Sequence, residues 1–374
     1  MKPIQMIDLA SQYLRIKDEI DSSIHKVVQS GSYINGSFVD LFASQLAEYL
    51  SVKHVIPCAN GTDALLISLM ALDLQPGDEI ITSNFSFIAA AEAIALLGLK
   101  PIFVDIHPQT FTLETKAIEK EITPNTKAII PVHLFGQACN MPEIKAITRK
   151  HNLLIIEDVA QSFGGDCFID NENKKLGTIG DIGCTSFFPS KNLACFGDGG
   201  AIFTNNDALA HKMKLICNHG ATRKFIHETI GLNSRLDAIQ AAILSVKLNY
   251  LNKWNKQRID IANQYDSLLS TCSQIILPVR EINSIHVFNQ YTIILKEGLN
   301  TDLQKHLAKN NIPSSIYYPL PLNKQKVFEN LDSFAKSFPV SESLSQKVLS
   351  LPMHTELECE QLEYIATTIL NYFA

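Results

Sequence analysis

Residues 152–164 read NLLIIEDVAQSFG. An unbroken apolar run, Leu153 to Ile156, ends in two carboxylates, Glu157 and Asp158, before the chain turns small and polar. Apolar character without alternation suits a strand buried on both faces of a largely parallel sheet. A carboxylate at the tip of such a strand is costly to desolvate unless a cation meets it. Taken alone, Asp158 could bind magnesium, cap the next helix, or pair with an arginine.

The same pattern repeats on either side. The runs HVIPCAN (54–60), DEIITSNFSF (78–87), KPIFVDI (100–106), TKAIIPVHLF (126–135), CTSFFPSK (184–191) and GGAIFTNN (199–206) alternate with helical patterns that suit crossovers. This predicts about seven strands in one α/β layer. After Asn206 the strand signal fades, and residues 234–270 read as one long helical stretch of the kind that links domains or lies across an interface. HVFNQYTIILK (286–296) then reads as a strand and TDLQKHLAKNN (301–311) as a helix. The expected organisation is a large α/β domain over 1–249, with an N-terminal helical segment, and a small C-terminal α+β domain over 250–374.

With 374 residues, 19% charged and 46% hydrophobic, the composition is that of a folded globular protein. The formal net charge of −6, with no basic run, argues against a nucleic-acid or membrane surface. None of the eight cysteines falls in a metal-ligand spacing, so no metal is expected and buried free thiols of a reducing compartment are. The start, MKPIQMIDLASQYLRIKDEI, carries charges where a secretory signal needs an apolar core, and no segment stays apolar for about 18 residues. A cytoplasmic location is the expectation.

In open α/β sheets ligands bind beyond the carboxyl ends of the strands. After HVIPCAN come Gly61, Thr62 and Asp63 and then a helical run, a combination of free N–H groups, a hydroxyl and a helix N-terminus that makes a phosphate site. A threonine N-cap with an acidic first turn explains the same residues. Lys191 closes the TSFFPSK stretch, where desolvation would favour the neutral, nucleophilic amine. A phosphate cradle, a strand-tip aspartate and a lysine, in that order at three strand ends, fit one cofactor, pyridoxal 5′-phosphate. Its phosphate needs a helix N-terminus, its ring nitrogen a carboxylate and its aldehyde a lysine.

The chain resembles the DegT/DnrJ/EryC1/StrS sugar-nucleotide aminotransferases. The likeness is carried by QMIDLASQY, SGSYINGS, CANGTDAL, IIPVHLFGQ, IIEDVAQSFG, TSFFPSKNLACFGDGGAIFTN, NSRLDAIQAAIL, IYYPLPLNKQ and SLPMH. The resemblance implies fold type I of the pyridoxal-phosphate enzymes, with Lys191 joined to the cofactor and Asp158 paired with its ring nitrogen. It further implies that Thr62, the backbone of Gly61 and Asp63, and Ser186 hold the phosphate, that Gln161 lies near the ring oxygen, and that Phe87 stacks on the ring. Asn233 would reach the phosphate of a neighbouring subunit's cofactor, so the site would need a homodimer.

The implied reaction moves an amino group from L-glutamate to a nucleotide-linked keto sugar. The motifs look most like the subgroup that aminates the third ring carbon, with UDP-2-acetamido-2-deoxy-3-oxo-D-glucuronate as the implied substrate and O-antigen precursors as the destination. Tyr317 stands before Tyr318 where that subgroup leads one to expect histidine, so a dTDP-linked 3-keto-6-deoxy sugar and a 4-keto sugar stay open as substrates. Arg235 is a candidate contact for an anionic group, or a structural ion pair. Tyr33, Tyr317 and Tyr318 are candidate substrate contacts, and His133 and His219 are candidates for the site's surroundings. A sugar-nucleotide sensor on the same fold is the alternative of a different class.

Overall fold

The computed structural model describes residues 1–374. The apolar runs form a seven-stranded sheet: β1 (His54–Cys58), β2 (Glu79–Ser83), β3 (Lys100–Val104), β4 (Thr126–Ile130), β5 (Leu154–Asp158), β6 (Ile182–Ser186) and β7 (Gly200–Thr204). Their spatial order is β1-β7-β6-β5-β4-β2-β3. Neighbours are parallel except around β7, which runs antiparallel to both β1 and β6. Successive residues enter opposite cores, Ile155 with Ile81 and Ile129 on one face and Ile156 with Ile80 and Ile130 on the other. Burial on both faces is why the runs are apolar throughout.

Because β1 to β6 are parallel, their carboxyl ends share one edge, and β7 begins there. Gly200 opens β7 in register with Cys58 of β1 and Ser186 of β6. A Cβ at Gly200 would lie 2.4 Å from the Asn60 carbonyl oxygen, and one at Gly61 would lie 2.6 Å from Ser186 Cβ. Glycine at both places lets the start of helix Gly61–Ala71 press against the sheet edge.

The smaller unit packs helices Leu251–Leu269, Asn300–Lys309 and Cys359–Phe373 with a three-stranded antiparallel sheet, Ile275–Ile276, Tyr291–Leu295 and Val348–Leu351. The chain passes between the two units more often than a single cut at residue 250 implies. Ile4 lies in the smaller unit's core, and Met353 N–H donates to the Met6 carbonyl at 3.3 Å. Residues 322–338 return to the large sheet as a strap, with Leu322, Phe328 and Phe338 packed on Ala91 and Phe103. Asn84 fastens it, donating to Asn323 Oδ1 at 3.0 Å and accepting from Asn323 N at 2.8 Å.

Two sequence expectations are corrected. The single long helix over 234–270 is two, Ala238–Leu248 and Leu251–Leu269. Between them Asn249 and Tyr250 donate to the carbonyls three residues back, tightening the chain into a turn, and the Tyr250 ring stacks on Trp254. All eight cysteines are free, but Cys359 is exposed in the first turn of the last helix rather than buried. No helix is long and apolar enough to cross a membrane.

Phe328 is buried edge-on against Phe103, the ring centroids 5.4 Å apart. Phe328→Ala should cost about 3–5 kcal/mol of local packing, and the strap should loosen before the rest of the fold. Limited proteolysis should then cut within 322–338 much faster than in the wild type, and unchanged cleavage there would show that the strap is held by something else.

Candidate active site

Asn60, the last residue before the helix at the end of β1, caps it by accepting the Asp63 N–H at 2.8 Å. Thr62 is therefore not the cap, and its hydroxyl is not committed to capping the helix. The Asp63 N–H, expected among the phosphate donors, is already taken by Asn60. What remains is the N–H groups of Gly61 and Thr62, which a helix cannot satisfy internally, and the Thr62 hydroxyl. Ser186 comes up against Gly61 from the end of β6 and accepts the Phe188 N–H at 3.2 Å, so its own O–H is free to donate. Donors converging at a helix N-terminus form a site for a phosphate.

Lys191 follows β6, its backbone N–H bonded to the Phe188 carbonyl at 2.9 Å. Its amine takes part in no ion pair, and burial in the cleft lowers its pKa below the usual lysine value, opposed only by the charge of Asp158. Asp158, at the tip of β5, has its pKa raised by burial, against the pull of the Ala160 N–H, Lys191 and His133. One carboxylate oxygen accepts that N–H at 3.0 Å, and the other has no hydrogen bond within the chain. Neither an arginine nor a helix cap answers this aspartate. Both side chains are only half-buried by area.

Gln161, also buried, accepts the Phe135 N–H through Oε1 at 2.8 Å and donates from Nε2 to the Tyr318 hydroxyl at 3.1 Å, keeping one N–H uncommitted. Tyr318, expected as a substrate contact, is thus also a tie between the two units, and its ring meets Phe85 edge-on at 6.0 Å. Tyr317 stands beside it, half-buried. Phe87, just past β2, is exposed.

The remaining candidates lie on two adjoining segments. The Tyr33 carbonyl accepts the Ala238 N–H at 2.9 Å, and Ile34 bridges to Asp237, so SGSYING runs beside NSRLD. Tyr33 and Asn233 are exposed, and Arg235 is half-buried without an acidic partner, which removes its reading as a structural ion pair. Ser234 accepts the Ala59 N–H at 3.1 Å, placing this segment close to the phosphate corner. His219 is exposed on the neighbouring loop, its N–H bonded to the Leu232 carbonyl. His133 has no exposed surface and does not reach the cleft. Its Nδ1 accepts the Cys139 N–H at 2.9 Å and its Nε2 meets Glu157 at 3.1 Å.

These residues meet what pyridoxal 5′-phosphate requires. The phosphate corner offers uncommitted donors, Asp158 offers an oxygen in need of a cation, and Lys191 offers an amine in need of a partner. Sequence reasoning overlooked Asn60, although an N-cap residue type directly before Gly-Thr was a readable signal.

The sequence pattern of the DegT/DnrJ/EryC1/StrS aminotransferase family matches residues 14–370. The chain is 44% identical over 368 residues to UDP-2-acetamido-2-deoxy-3-oxo-D-glucuronate aminotransferase of Pseudomonas aeruginosa, covering 98% of this chain and 100% of the relative. It is 41% identical to UDP-N-acetyl-3-dehydro-alpha-D-glucosamine 3-aminotransferase of Acidithiobacillus ferrooxidans, over 98% of this chain and 97% of that one. The crystal structure of DesV from S. venezuelae with a ketimine intermediate superposes with a TM-score of 0.95 at 33% identity, covering 100% of this chain and 99% of that one.

A lysine with a depressed pKa binds fewer protons folded than unfolded, so its charge opposes folding at neutral pH, and the penalty fades as the pH nears the ordinary value of 10.5. Lys191→Met should therefore raise the thermal midpoint of the cofactor-free protein at pH 7, with the advantage shrinking towards pH 10. A variant no more stable than wild type at any pH would show that the fold satisfies the amine.

Proposed function

Because the chain belongs to the DegT/DnrJ/EryC1/StrS aminotransferase family, we propose that its cleft carries nitrogen from L-glutamate to the third ring carbon of a UDP-linked 2-acetamido-2-deoxy-3-oxo sugar. The chain is a pyridoxal-phosphate-dependent sugar-nucleotide aminotransferase. The observation that carries the reading is the pairing of a desolvated, partnerless Lys191 with the open oxygen of Asp158, beside a phosphate corner at Gly61, Thr62 and Ser186.

When bound, the cofactor supplies an aldehyde that takes up nitrogen and a ring that spreads the negative charge left when a proton is removed from carbon. The protein supplies the rest. Lys191, with its basicity lowered by burial, gives up its proton more readily than an ordinary lysine, so it can act as nucleophile and then hold or return a proton at Nζ. The open oxygen of Asp158 would hold a protonated ring nitrogen, the cation its buried position lacks. Thr62, Ser186 and the Gly61 N–H would hold the phosphate, and the uncommitted N–H of Gln161 would face the ring oxygen.

The two relatives act on sugars that, as named, differ at the sixth carbon, a carboxylate in one and a hydroxymethyl group in the other. Arg235, free of any acidic partner, is the cation available for a carboxylate or a diphosphate. We favour the glucuronate, within the synthesis of surface-polysaccharide precursors in the cytoplasm. Product analysis with both UDP sugars and a dTDP-linked 3-keto-6-deoxy sugar tests this choice, and preferred turnover of the dTDP sugar would overturn it.

Asn233 and Arg235 have no side-chain hydrogen bond within their own chain, which supports a homodimer whose subunits complete each other's pockets. Lys191→Ala alone should lower turnover by about 10³-fold or more while still binding the cofactor without a covalent link. Mixed one to one with a variant carrying both Asn233→Ala and Arg235→Ala, it should regain about a quarter of wild-type activity, since half of the dimers are mixed and each has one intact site of two. Subunit exchange shown by mass without recovered activity would mean that both residues serve their own subunit.

A further inference from the structure

Lys191 has to keep its backbone in one place while its side chain is left free, and three buried asparagines lie around that backbone. Asn192, the next residue, is 5% exposed, Asn255 of helix Leu251–Leu269 is 5% exposed, and Asn289 of the smaller unit is 2% exposed. Asn289 Nδ2 donates to the Ser190 carbonyl at 3.1 Å and to Asn192 Oδ1 at 2.9 Å, so a single amide grips the residues on both sides of Lys191. Asn192 Nδ2 donates in turn to Asn255 Oδ1 at 2.7 Å and to the Val287 carbonyl at 3.2 Å, and Asn255 Nδ2 donates to the Phe163 carbonyl at 3.2 Å.

Asn289 is itself held firmly. Val287 N–H donates to the Gly136 carbonyl at 3.0 Å, and Gln290 N–H donates to the Phe135 carbonyl at 3.2 Å. Gly136 has φ +107, and a Cβ there would lie 2.6 Å from Phe288 N, so the two backbones meet in direct contact. Phe135 N–H is the group that holds Gln161, which joins this junction to the cleft. The arrangement is not what stability alone would favour, because Asn289 Oδ1 is buried and accepts from nothing.

We propose that Asn289, acting through Ser190 and Asn192, is a positioning residue that fixes the backbone of Lys191 from the smaller unit and so keeps its amine in the cleft near Asp158. The inference rests on Lys191 being the reactive amine. The charged group acting on Lys191 is Asp158, and no other charge enters its environment.

The test uses the cofactor-free full-length protein. Trace acetylation of Lys191 by acetic anhydride is followed by peptide mass across a pH series, in wild type, Asn289→Ala, the milder Asn289→Ser, which keeps one donor, and Asn300→Ala. Asn300 is a buried asparagine of the smaller unit that donates to the Ser345 and Val348 carbonyls and serves as a control for lost stability. Wild-type Lys191 should titrate below the ordinary lysine range. Asn289→Ala should move its midpoint up towards that range and Asn289→Ser should move it less, whereas Asn300→Ala should lower the thermal midpoint and leave the titration unchanged. In the cofactor-loaded enzyme kcat should fall by about tenfold while KM for glutamate changes little.

A depressed wild-type midpoint that both Asn289 variants leave in place overturns this inference alone. An equal shift in Asn300→Ala also overturns it, by reducing the effect to general loosening. An ordinary wild-type midpoint overturns the reading of Lys191 as a desolvated amine, and this inference with it.

Discussion

Lys191 and Asp158 attract one another in a cleft where burial works against the charge of each, and the fold closes no ion pair between them. Paired directly, they would neutralise each other and leave no chemistry. Each instead keeps an unmet need, the amine for a partner and one carboxylate oxygen for a cation. A molecule that brings an electrophile for the first and a protonated nitrogen for the second is bound by both at once. Holding two such groups in place requires a frame stiff enough to prevent the side chains from closing on each other or turning out to water.

The frame is stiff because the elements that carry Asp158 and Lys191 are fastened on more than one side. β5 and β6 lie in the middle of a sheet buried on both faces, and β7 opens with glycine where the Asn60 carbonyl comes close. The smaller unit is tied down by Tyr318 on Gln161, by Asn84 with Asn323, and by Asp105, which accepts from Val340 N and Ser341 N at 3.0 and 2.9 Å. Arg258 adds a buried guanidinium that donates to the Phe288 and Met353 carbonyls, with no acid near enough to pair. Its burial lowers its pKa to about 10, so it still carries its charge at neutral pH and spends it on two backbone carbonyls.

The seven strands were legible because burial on both faces imposes uninterrupted apolar runs, a signal that survives without any knowledge of neighbours. Lys191, Asp158 and the Gly61–Thr62 corner were legible for a related reason: a polar group directly after such a run stands at the sheet edge whatever the strand order. Asn289 and the Asn84 to Asn323 tie were not, since each acts across a gap in sequence of about a hundred residues or more and asparagine is an ordinary loop residue by itself. The break at Asn249 and Tyr250 escaped for a different reason. It contains neither proline nor glycine, and the apolar spacing continues across it, so local pattern has nothing to register.

Glu157 and Asp158 show how far the sequence alone can be read, because they are adjacent carboxylates on one strand with opposite fates. Successive side chains of a strand point to opposite faces. Glu157 enters the core and is fully answered there, accepting Ile179 N–H at 2.7 Å and Gly180 N–H at 2.6 Å on Oε1, and Gly177 N–H at 3.0 Å and the His133 ring on Oε2. With its lone pairs occupied it has nothing left to offer a ligand, and its work is to hold the 177–180 turn beneath the sheet edge. Asp158 receives one N–H and keeps the other oxygen open. Both are carboxylates at the end of one strand with the same neighbouring sequence. The number of donors that the fold aims at each carboxylate decides which is structural and which is left reactive, and that number is set by the turn at 177–180, about twenty residues further along the chain.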